Sequence, residues 1–122
     1  MSSGTPKYMA FEQFAGRGKV ENPFACDVFS LGVILFHLVF KEYPFTPNVY
    51  QDLRARSRHF MQDYLTDPQR NKHNVQISDE LRSLLEGMLR SNPRERISLG
   101  KVLASPWFRR QARLMSTDMA YL

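Results

Sequence analysis

The stretch Cys26–Phe40, CDVFSLGVILFHLVF, limits the folds open to this chain more than any other. From Val28 to Phe40 only Ser30, Gly32 and His37 interrupt the apolar residues. An ordinary surface helix shows one apolar stripe; a segment apolar nearly all round has to be covered on most sides. Val33 and Val39 are β-branched and would suit a strand, but the run exceeds the roughly 4–8 residues usual for one. It also falls short of the roughly 20 apolar residues of a membrane span. Asp27 stands where an N-cap belongs, its carboxylate free to accept from first-turn N–H groups. The reading is a central buried helix over 27–40, with shorter elements packed around it.

At 122 residues the chain has room for one domain. A single cysteine, Cys26, excludes an internal disulfide and suits a reducing compartment, so a cytoplasmic location is expected. The opening MSSGTPKY lacks the apolar core of a signal peptide. The net charge of +5 is uneven: residues 1–53 hold 4 Lys/Arg and 5 Asp/Glu, residues 54–122 hold 13 and 7. Apart from the cluster Arg54, Arg56 and Arg58, the basic residues are scattered through helical patterns, the mark of solvated faces. A small basic helical protein binding nucleic acid is the rival this charge leaves; it predicts a steep loss of affinity with salt. His37, His59 and His73 lack metal-ligand spacing, and His37 reads as a hydrogen-bonded core residue.

Taken in order, residues 1–7 are loop-like and 8–14 could form a short helix. Residues 15–23, AGRGKVENP, lead into the central helix. Two prolines in KEYPFTP, 41–47, end helical geometry, and Asn48 can cap a helix over 49–57. Residues 58–77 are polar and poorly patterned, with 67–74 the exposed loop. Then Ser78 caps, Asp79 and Glu80 place negative charge in a first turn, and Leu81, Leu84, Leu85, Met88 and Leu89 mark one helical face. Ser98 caps a shorter helix, with Leu99, Val102 and Leu103 inward, that Pro106 stops; Trp107 and Phe108 offer apolar area for docking. From Gln111 no pattern is evident. No strand is convincing, and the chain reads as all-α.

Three segments, in this order, resemble the second half of a eukaryotic Ser/Thr protein kinase domain. GTPKYMAFE, 4–12, is similar to the Gly-Thr-Pro-x-Tyr-Met-Ala-Pro-Glu end of the activation segment. DVFSLGVILFHLVFKEYPF, 27–45, resembles the family's Asp-x-Trp-Ser-x-Gly helix and the Pro-Phe after it. NPRERISLGKVLASPWF, 92–108, is similar to the Pro-x-x-Arg-x-Ser/Thr … Pro-Trp-Phe close of the domain. The resemblance implies an all-α, partial kinase-like C-lobe built around the central helix, with residues 1–110 as the partial domain and 111–122 as a C-terminal tail. In a complete domain earlier segments cover the central helix, so this chain alone is expected to expose an apolar patch.

The resemblance also implies roles. Thr5 matches the threonine that bonds the catalytic aspartate; Pro6 and Met9 match positions lining the pocket for the substrate residue after the phosphorylated one. Glu12 and Arg96 match a buried ion pair joining the activation-segment end to the late helices, a bidentate geometry guanidinium suits. Asp27 matches an aspartate that anchors the catalytic-loop backbone. Two departures bear on this: Phe11 replaces the proline that fixes the turn before Glu12, and Phe29 replaces the tryptophan of the helix.

The glycine-rich loop, the strand lysine, His-Arg-Asp and Asp-Phe-Gly are absent from the sequence; Gly16-Arg17-Gly18 is no substitute, since Glu21 stands where a third glycine is needed. No catalytic residue and no metal site are therefore assigned. ATP and Mg²⁺ belong to the complete domain, and the chain alone is expected not to transfer phosphate. The partner expected is a protein substrate or the missing kinase segments, not a membrane or nucleic acid. The alternative reading is a non-catalytic, kinase-derived interaction module.

Overall fold

The computed structural model describes residues 22–44 and 59–119, with side chains through 115. Among the described residues there are five helices and no strand. They are α1 (Pro23–Phe40), α2 (Phe60–Thr66), α3 (Asp79–Met88), α4 (Leu99–Leu103) and α5 (Pro106–Met119). The expected helices over 8–14 and 49–57 lie outside the described residues.

The central helix is longer than the sequence predicts, and Asp27 is not its cap. Asn22 is: its Oδ1 accepts from Phe24 N at 3.1 Å and Ala25 N at 3.3 Å. Pro23 follows at the first helical position, where a missing N–H costs nothing and φ is already helical. Asp27 therefore sits inside the helix, exposed. The correct signal was the Asn-Pro pair, which reads equally well as loop punctuation. At 18 residues, about 27 Å, α1 is long and apolar enough to cross a membrane by length and composition alone. Its inner face instead packs into a core, as a central helix should.

That face presents Cys26, Phe29, Val33, Phe36 and Phe40, joined by Phe60, Met61 and Tyr64 of α2 and by Leu81, Leu85 and Leu89 from α3 and its end. A second cluster joins Val28 to Leu84, Met88 and Val102. Gly32 lets α1 and α3 approach: a Cβ there would stand 2.9 Å from Leu89 Cδ2 and 3.0 Å from Met88 Cβ. The Phe36 and Phe40 rings lie 4.5 Å apart, tilted by 36°, and each meets Tyr64 edge-on at 4.9 and 5.0 Å.

Ser78 caps α3 through Leu81 N, and Ser98 caps α4 through Lys101 N, as the sequence predicts. All five apolar residues named for the α3 face are buried. For α4 only Val102 is buried, while Leu99 and Leu103 are 42% and 50% exposed.

Two further elements differ from expectation. Residues 60–66, read as unpatterned, form α2, because Phe60, Met61 and Tyr64 fill the space beside α1. Pro106 does not merely stop α4: it opens α5, behind Ser105, whose Oγ accepts from Phe108 N at 3.3 Å. The helix runs through residue 110 to Met119, so the expected patternless tail from Gln111 is helical.

Candidate functional site

Of the residues the sequence singles out, Thr5, Pro6, Met9 and Glu12 lie outside the described residues; Asp27 and Arg96 lie within them. Arg96 follows α3, in the turn that leads to α4, and its side chain runs inward until only 7% of it is exposed. The guanidinium gathers three carbonyls. Nη1 donates to Ala25 O at 2.8 Å, Nε and Nη2 donate to Arg90 O at 3.0 and 2.9 Å, and Nη2 reaches Ser91 O at 3.4 Å. Its planar face lies 5.0 Å from the centroid of the Phe29 ring. One side chain thus fastens the first turn of α1 to the chain leaving α3, across 71 residues of sequence.

This geometry explains why the position requires arginine. A fork of fixed donors can satisfy several carbonyls at once and still stack on a ring; an ammonium cannot do both. Phe29, standing where the family has tryptophan, supplies the ring. Sequence reasoning found Arg96 through the expected pair with Glu12, but could not foresee its carbonyl partners, since a main-chain acceptor leaves no trace in residue type.

Asp27 presents its carboxylate to solvent on the outward side of α1. His37, expected to be hydrogen-bonded, is instead half-buried and stacked on Tyr43 at 4.5 Å and 17°, with its Nδ1 buried and unbonded. Below it, a polar group ties the end of α1 to α2. Tyr64 Oη donates to Glu42 Oε2 at 3.2 Å, and the Arg70 guanidinium lies 5.0 Å from the Tyr64 ring. Burial first, and then the Glu42 carboxylate, push the Tyr64 phenol up to about 12.

A cavity of about 580 Å³ opens between the end of α2, the following turn and the start of α3, bordered by Gln62, Leu65, Lys72, Gln76 and Ile77. Buried Asn71 frames it, donating to Leu65 O and Val75 O and accepting from Val75 N. On α3, Glu86 is buried against Arg82 Nη1 at 2.8 Å. Among the described residues no group of three His, Cys, Asp or Glu side chains is placed to hold a metal ion.

A buried central helix, clamped at its first turn by an arginine from a late turn and flanked by short helices, defines an all-α lobe. The sequence profile of the protein kinase domain matches residues 1–108, and the chain belongs to that family. It is 32% identical over 110 residues to the cell cycle serine/threonine-protein kinase CDC5/MSD2 of Saccharomyces cerevisiae, covering 87% of this chain and 14% of that protein. It is 32% identical over 113 residues to the CBL-interacting protein kinase 29 of Oryza sativa subsp. japonica, covering 89% and 22%. With the serine/threonine-protein kinase par-4 of Caenorhabditis elegans it shares 30% over 106 residues, covering 87% and 16%. The chain thus spans between 14% and 22% of the length of these relatives, and it carries part of a kinase domain.

Proposed function

We propose that this chain is the substrate-docking half of a Ser/Thr protein kinase C-lobe, which in a complete domain positions a protein's Ser or Thr hydroxyl for phosphorylation. The observation that carries the reading is Arg96, buried and turned toward the first turn of α1, where a carboxylate from the activation-segment end would arrive. Glu12 is assigned that place. Thr5, Pro6 and Met9 then present the acceptor, and Asp27 reaches the catalytic-loop backbone of the complete domain.

ATP and Mg²⁺ enter only with that complete domain. The 122-residue chain by itself transfers no phosphate. Labelled ATP and a generic protein acceptor test this directly: turnover by the pure chain refutes it. The docking role is tested by exchange. The matching stretch of the rice kinase is replaced by residues 1–108, and the chimaera is assayed on a Ser-containing peptide. Activity above that of the Arg96→Ala chimaera supports the reading; a folded but inactive chimaera overturns it.

A further inference from the structure

We propose that the cavity between α2, the turn after it and the start of α3 binds a peptide segment in which a carboxylate side chain stands next to an apolar one. The proposal goes beyond the docking role above and does not depend on it. Every residue that lines the cavity lies between Gln62 and Arg82, so one contiguous stretch of chain builds the whole site.

The site is preformed. Asn71, 5% exposed, directs its side-chain amide into the turn itself: it donates to Leu65 O at 3.2 Å and Val75 O at 3.1 Å and accepts from Val75 N at 2.9 Å. Asn71 N donates to Asp67 O at 2.8 Å, and Gln76 Nε2 donates to Asn74 Oδ1 at 2.9 Å. Asn74 holds the left-handed region at φ 49°, which asparagine tolerates better than most residues. A turn that satisfies its own polar groups needs no ligand to hold its shape. The cavity, about 580 Å³, falls within the roughly 300–1,000 Å³ of small-ligand sites.

The groups left over set the chemistry of the occupant. Among the described residues no hydrogen bond or ion pair engages the Lys72 ammonium or the Gln62 amide, and both border the cavity. Arg82 gives Nη1 to the buried Glu86 at 2.8 Å and holds Nε 3.9 Å from Asp79, which leaves Nη2 with unused donors. The one carboxylate in the lining, Asp79, has a side chain 98% exposed, so water and salt screen it. Leu65, Pro68 and Ile77 supply an apolar wall. Two cations with unused donors beside such a wall complement an anion joined to an apolar group. Glu86 already balances one of the two cations, so a single negative charge is the match and a doubly charged phosphate exceeds it. Aspartate or glutamate next to leucine, isoleucine or valine meets both demands, and the Gln62 amide is free for the peptide's main chain.

The test is titration of the full, isotope-labelled 122-residue chain with the blocked peptide acetyl-Ala-Leu-Glu-Leu-Ala-amide, followed by backbone amide chemical shifts. The expected result is saturable shifts confined to residues 62–82, with a dissociation constant of about 0.1–1 mM for so small a contact. Glutamine in place of the peptide's glutamate weakens binding about tenfold, and Lys72→Ala, which changes an exposed side chain, weakens it about fivefold. Gln62→Lys, which adds a cation at the rim, tightens it about threefold. Absence of shifts up to about 5 mM peptide overturns the proposal. So do equal binding of the glutamine peptide, no response to Lys72→Ala, or shifts centred elsewhere in the chain. A phosphoserine peptide held more than about tenfold tighter overturns the choice of a carboxylate. Acetate binding as well as the peptide shows an adventitious ion only, and overturns the proposal too.

Discussion

The two faces of α1 are built from the same kinds of residue and behave oppositely. Phe29, Val33 and Phe36 are wholly buried, while Phe24, Leu31, Ile34 and Leu38, on the same helix, stand 45–70% exposed. Hydrophobicity therefore does not decide burial here; the presence of a partner does. The inner face has one because Gly32 admits α3 to close range and because Arg96 locks the helix start to the chain beyond it. Among the described residues the outer face has no such notch and no such clamp.

Five substitutions sharpen or break that contrast. Phe36→Ala, on the inner face, is expected to cost about 3–5 kcal/mol in a denaturant titration. Leu38→Ala, two residues on but outward, should stay within about 0.5 kcal/mol. Equal losses would break the comparison. Arg96→Ala removes the clamp and leaves three carbonyls without their donor; a loss of about 3 kcal/mol is expected, and Arg96→Lys should recover only a minor part. Gly32→Ala should cost about 1–3 kcal/mol, because overpacking against Leu89 exceeds the gain in helix propensity.

Lys41→Gly should instead stabilise, by up to about 1 kcal/mol, since glycine holds the left-handed turn at φ 62° without steric cost. A melting temperature that falls would show that the lysine side chain contributes more than its backbone strain. Tyr64→Phe has the smallest effect at neutral pH and shows itself in base. The phenol ionises near 10 in the unfolded chain and only near 12 in the fold. Its contribution is complete below pH 10 and is lost as the pH climbs toward 12. The variant's stability should therefore fall less steeply over that interval.

How much of this was legible in the sequence differs by element. The face of α3 was plain, because Leu81, Leu84, Leu85, Met88 and Leu89 repeat at helical spacing on one side only and Ser78 announces the start. The centre of α1 was equally plain, but its start was not: Asp27 reads as the cap and Asn22-Pro23 as loop, whereas it is Asn22 that caps the helix. α2 is not legible in the sequence because its apolar residues are few and split between α1 and a polar turn; its helicity comes from packing, not from pattern. Pro106 shows the limits of a proline as punctuation: the same residue ends one helix and opens the next. Of the candidate site, Arg96 and Asp27 were found by kinship of motif, not by periodicity. Arg96's carbonyl partners had to await three dimensions.

The lone thiol offers a last use. Cys26 sits against the inner wall of α1 with 5% of its surface reachable, and the chain has no other sulfhydryl to compete with it. A chromogenic disulfide reagent added to the native protein can react only when that wall swings open. The rate of colour development therefore times the breathing of the lobe's centre without any engineered label.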